Sequence, residues 1–115
     1  MAIGIKRVVV TSGTYTSDGS SSSQSTISLP NGELSLFLNV TAAVAPGSLK
    51  VYPEWTDDNG TTWYTGEGEQ FDFVYTNVPV ALVKNFPVHS DKYRVSYDLI
   101  GTSYTFGVNS FGALL

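Results

Sequence analysis

The chain contains no cysteine, which excludes disulfides and thiolate metal sites and leaves stability to packing and strand pairing. Charge is scarce too, at 14% of 115 residues. The cations Lys6, Arg7, Lys50, Lys84, Lys92 and Arg94 are scattered and the net charge is -4. They form no stripe that could release counterions from a phosphate backbone, so nucleic acid is a poor partner. Long apolar runs are missing as well. Lys6 and Arg7 precede only three valines, too few for a signal peptide or a membrane span. The expectation is a protein made and assembled inside a cell. A single histidine, His89, stands without a Gly-x-Ser-x-Gly elbow, so neither a histidine cluster nor a nucleophilic triad has visible support.

What the chain does have is 42% hydrophobic residues among abundant Ser, Thr, Gly and Tyr, the balance of a β-sheet protein with neutral polar faces. Its length suits one domain, 1–115, that buries a core without staples. Leu34, Leu36, Leu38 and Val40 alternate with Ser35, Phe37, Asn39 and Thr41, the period of a half-buried strand, with Phe37 on the polar side. Leu49, Val51, Pro53 and Trp55 alternate with Lys50, Tyr52, Glu54 and Thr56. Pro53 lacks an amide donor, which predicts an edge strand or a bulge. Tyr93, Val95, Tyr97 and Leu99, then Tyr104, Phe106 and Val108, flank Gly101-Thr102, read as a hairpin. Ile5–Val10 and Ser25–Leu29 read as further strands, with a tight turn at Pro30-Asn31-Gly32 and a loop holding Asn85-Phe86-Pro87. Residues 12–25, with Ser20-Ser21-Ser22-Ser23, read as a flexible loop. Eight or nine short strands between Gly, Pro and Asn turns imply one all-β antiparallel sandwich, a jelly roll or an Ig-like Greek key, with a small barrel as the alternative.

The octet Thr56-Asp57-Asp58-Asn59-Gly60-Thr61-Thr62-Trp63 is a hairpin signature similar to the Asp-box of sialidases. Asp58 is expected to bond turn amides after Thr56, Gly60 to take left-handed backbone angles and Trp63 to pack under the turn. The role is structural: one copy in a chain this short makes no propeller. Glu54, Asp57, Asp58, Glu67, Glu69 and Asp72 form an acidic neighbourhood, but their spacing fits neither a calcium loop nor an acid and base pair. No catalytic, cofactor or metal residue is assigned, and His89 reads as a loop residue. Asn39-Val40-Thr41 and Asn59-Gly60-Thr61 match glycosylation sequons but read as ordinary strand and turn residues without a secretory signal. Planar rings can stack on sugars or anchor a protein. Trp55 and Trp63 fall at positions expected to face inward, whereas Phe37, Tyr52 and Tyr64 are the surface candidates. The apolar tail 110–115, with Phe111, Leu114 and Leu115, is a further candidate contact with a neighbour.

The run Leu34 to Ala42, a short turn, Leu49-Lys50-Val51-Tyr52, the octet and Tyr93-Arg94-Val95-Ser96-Tyr97 together resemble small β-sandwich virion proteins of tailed bacteriophages, of the head decoration or cement type. That resemblance implies a non-enzymatic protein on the capsid surface, made in the bacterial cytoplasm. Its partners would be the major capsid protein or neighbouring virion subunits, with homo-oligomers, and neither nucleic acid nor membrane. Tail or baseplate placement shares the same features. From a different class, a carbohydrate-binding β-sandwich module would use Tyr52, Tyr64 and nearby acidic groups as a stacking platform. A hydrolase built on the carboxylates between Glu54 and Asp72 ranks last.

Overall fold

The computed structural model describes residues 4–25, 32–44, 47–74, 78–101 and 103–113. Its strands are β1 (Gly4–Tyr15), β2 (Gly19–Ser20), β3 (Gln24–Ser25), β4 (Glu33–Val44), β5 (Ser48–Trp55), β6 (Tyr64–Thr65), β7 (Phe71–Val74), β8 (Val80–Pro87), β9 (Lys92–Ile100) and β10 (Ser103–Ala113). All described pairings are antiparallel. One sheet has the order β1-β10-β4-β8. In the other, β9 and β5 form the centre, flanked by β2 and β3 beyond β9 and by β6 and β7 beyond β5. With β2/β3 and β6/β7 each taken as one interrupted edge, eight strand positions make two four-position sheets, the jelly-roll order of two interleaved Greek keys.

The period-two alternation places the core as the sequence predicts. Leu34, Leu36, Leu38 and Val40 of β4 are buried, as are Tyr104, Phe106 and Val108 of β10. Leu49, Val51 and Trp55 of β5 and Tyr93 and Val95 of β9 meet them from the facing sheet in one cluster. The buried Tyr93 hydroxyl donates to Ser110 Oγ at 2.9 Å, a polar link from β9 to β10 across that cluster.

Several local expectations are corrected. Pro53 is neither on an edge strand nor at a register shift, since it pairs with Val95 in the uninterrupted β5–β9 ladder. On the other flank of β5, β7 covers Ser48–Val51 and β6 covers Glu54–Trp55. The flanking ladder is therefore broken beside Pro53, where a residue without an amide proton fits. The strands either side of Gly101 are not a hairpin, because β9 and β10 lie in different sheets. The turn is a crossover, and Gly101 takes φ 116°. The β4–β5 crossover meets it at Gly47, where a Cβ would collide with the Ile100 carbonyl oxygen. β1 runs five residues past Val10, with shifted register against β10. Much of the stretch read as a loop over 12–25 thus lies in β1, β2 and β3, and Ser21 bonds β9 through both its backbone and its hydroxyl. Asn85-Phe86-Pro87 likewise belongs to β8, where Phe86 is fully buried. Pro30 and Asn31, read as a turn, residues 26–29, read as strand, and Leu114 and Leu115 lie outside the described residues.

Candidate functional site

The octet joins β5 to β6, with Glu54 opposite Thr65 and Trp55 opposite Tyr64. Thr56 is buried, and its Oγ1 accepts from the amides of Asp58 (3.3 Å) and Gly60 (2.8 Å) while donating to Asp58 Oδ1 (2.8 Å). That carboxylate oxygen also accepts from the Thr62 amide at 2.8 Å. The Thr62 amide, aided by hydroxyls of Thr62 and Thr56, holds the Asp58 carboxyl below its ordinary range. Asn59 and Gly60 are left-handed, with φ 61° and 96°, a backbone that glycine adopts without steric cost.

Trp63 departs from the expected inward position. It is half-buried, and the Arg94 guanidinium stacks 4.6 Å from its ring centroid. Arg94 Nε also donates to Glu54 Oε1 at 2.9 Å, and Ser96 Oγ donates to the same oxygen. Beside this network Lys92 Nζ donates to Asn59 Oδ1 at 2.5 Å and the Tyr52 hydroxyl donates to Asp98 at 3.1 Å. Partial burial first, then Asp98 and nearby carboxylates, pushes the Tyr52 phenol up to about 12.

The acidic neighbourhood is dispersed among separate partners. Glu54 serves Arg94 and Ser96, Asp58 serves the turn, and both Glu69 oxygens lie about the His89 Nε2 at 3.1 and 2.9 Å. Among the described residues no group of three or more His, Cys, Asp or Glu is placed to hold a metal ion. The pairing of His89 with Glu69, and the edge contact of its ring with Trp55 at 5.4 Å, have no signal in the local sequence. They come from a loop and a strand end twenty or more residues apart.

Tyr52 and Tyr64 do not share one platform. Tyr64, 52% exposed, lines a cavity of about 340 Å³ with Trp55, Thr56, Asp57, His89 and Ser90. Tyr52 lines a neighbouring depression of about 260 Å³ with Lys50 and the loop Gly66–Gln70. Thr65 and Gly66 border both. The larger cavity lies at the small end of the range typical of ligand pockets. Trp55 is only 3% exposed, and its indole Nε1 is enclosed without a hydrogen-bond partner among the described residues. Phe37 and Phe111, the other surface candidates, meet on the outer face of the first sheet with ring centroids 6.0 Å apart.

No protein-family profile matches the chain, and no curated protein matches it. Solved structures do. A xylan-binding domain (CBM22-1) from Paenibacillus barcinonensis is similar at TM-score 0.51 and 18% identity, over 98% of this chain and 84% of that one. A structure titled Family 16 Carbohydrate Binding Module-2 aligns at TM-score 0.46 and 15% identity, over 97% and 76%. The first likeness shows a shared β-sandwich fold.

Proposed function

We propose that this chain is a non-catalytic carbohydrate-binding module whose sugar site is the cavity between the β5–β6 hairpin and the β8–β9 loop. The observation that carries the reading is the exposed Tyr64 ring set beside a cavity that mixes a second aromatic, Trp55, with Asp57, Ser90 and His89. A sugar ring offers an apolar C–H face and a rim of hydroxyls, so a ring wall next to polar groups suits it. The fold likeness to a xylan-binding domain supports the same reading. Titration of the protein with a panel of soluble plant, bacterial and fungal polysaccharides, followed by tryptophan fluorescence, should show saturable change through Trp55. Tyr64→Ala should weaken it at least tenfold, the scale of one stacking contact (about 1.4 kcal/mol). A flat titration across the panel would overturn the proposal.

A second reading, a capsid decoration protein on the virion surface, is favoured by a different face. Val8, Asn109, Phe37 and Val83 form one register row across all four strands of the first sheet. Val8, Phe37 and Val83 are exposed there, as is Phe111. Such a face suits a protein partner. Immunogold label over phage heads in a lysate would support it, label confined to tails would move the protein to the tail, and unlabelled particles would discard it.

A further inference from the structure

The charge and hydrogen-bonding character of the Tyr64 cavity narrows its ligand. Among its lining residues Asp57 is the one carboxylate, and none is Lys or Arg. The cations on β5 and β9 of the same sheet are committed elsewhere: Lys92 to Asn59, Arg94 to Glu54 and Trp63, and Lys50 over the Tyr52 ring. Two hydroxyl protons of the lining are committed as well. The Thr56 hydroxyl donates to Asp58, the Ser90 hydroxyl donates to the Lys92 carbonyl at 2.8 Å, and His89 Nε2 faces the Glu69 carboxylate. Tyr64 and Thr65 can donate or accept, and the Trp55 indole can only donate. The lining therefore offers one carboxylate and an exposed ring, with no lysine or arginine to meet an anion.

Resting on the carbohydrate reading, we propose that the cavity selects an amino sugar with a free ammonium group and rejects acidic sugars. An ammonium brings three donors and no acceptor, and it can sit both against Asp57 and over the Tyr64 ring. A uronate in the same place would set its carboxylate against Asp57 with no lysine or arginine in the lining to compensate.

The test is calorimetric titration of the full chain, at low salt and neutral pH, with three β-1,4-linked trisaccharides that differ in one group: glucosamine, glucose and glucuronate. The expected order of affinity is glucosamine, then glucose, then glucuronate. The first step should be roughly two- to fivefold, the scale of one exposed charge pair, and should shrink as salt is added. Asp57→Asn should bring the glucosamine-to-glucose ratio close to one, with the circular dichroism spectrum checking that the hairpin stays folded. Equal or tighter binding of glucuronate, or a ratio that Asp57→Asn leaves intact, would overturn the charge selection while the carbohydrate reading stands. Failure of all three trisaccharides to bind would overturn the charge selection, and the polysaccharide panel then decides the broader reading separately.

Discussion

The two sheets present the same chemistry inward and opposite chemistry outward. Inside, both contribute rows of aliphatic and aromatic side chains to one core. Outside, the sheet centred on β5 and β9 is tied by the Glu54–Arg94 ion pair, the Ser96 hydrogen bond, the Trp63 stack and the Tyr52–Asp98 contact. The outer face of β1-β10-β4-β8 carries the Val8, Phe37 and Val83 row, with short polar links such as Ser35 to Asn85 at 2.7 Å. Half the alternation in each strand is thus set by burial, and the other half is free to vary with function. The side that is cross-linked is also the side whose edge, at β6, borders the proposed sugar cavity.

The largest effects should confirm that the inner faces are equivalent. Leu36→Ala in one sheet and Leu49→Ala in the other each remove a fully buried side chain and should each cost about 2–5 kcal/mol in urea unfolding. A much smaller loss at one of them would break the symmetry of the core. Next come the outer faces. Glu54→Ala strips two hydrogen bonds from partly buried partners and should cost about 1–2 kcal/mol. Val83→Ser, at a position 57% exposed, should stay within about 0.5 kcal/mol. Equal costs would mean that the network on the second sheet adds nothing to stability.

The smallest effect is alkaline. Tyr52 titrates near 10.0 when unfolded and near 12 when folded, chiefly because it is partly buried and then because it donates to Asp98. A raised folded value means that its contribution is intact below pH 10.0 and is lost as pH climbs toward 12. Tyr52→Phe should flatten, but not abolish, the alkaline fall in the urea midpoint, since burial also raises Tyr93, Tyr97 and Tyr104. An unchanged slope would show that neither burial nor the Asp98 contact raises Tyr52 in the folded protein in solution.

Strand β4 was legible because its four inward residues are all aliphatic and its outward residues mostly polar, a signal contained in nine consecutive positions. The octet was legible for the same reason, since its hydrogen bonds span four residues or fewer. The crossover at Gly101 was not, because alternation reports which face is buried and not which sheet a strand joins. Pro53 shows the same limit: its missing donor was read as an edge, while the gap it needs lies in the neighbouring ladder, between β6 and β7. Of the site, the exposure of Tyr64 followed from its parity in the strand pattern. Trp63 was misplaced because the cation that draws it outward, Arg94, arrives from a distant strand. The cavity itself needs β6, His89 and Trp55 together, a meeting that only the tertiary fold creates.

The strand order also dictates a timetable. Among the described residues β1 has β10 as its one strand partner, and β2 and β3 have β9 as theirs. Within this domain β1, β2 and β3 are made before their partners and stay orphans until β9 and β10 follow, with Gly4 finally closing against Ala113. Pairing across almost the whole chain is slow, because the entropy of the long loop is lost before the contact repays it. While translation continues, the strands able to ladder together are those of the middle, β4 with β8 and β5 with β6 and β7. A nascent chain halted before β9 would hold these two ladders apart from their sandwich, with the leading strands unpaired and exposed to misassociation.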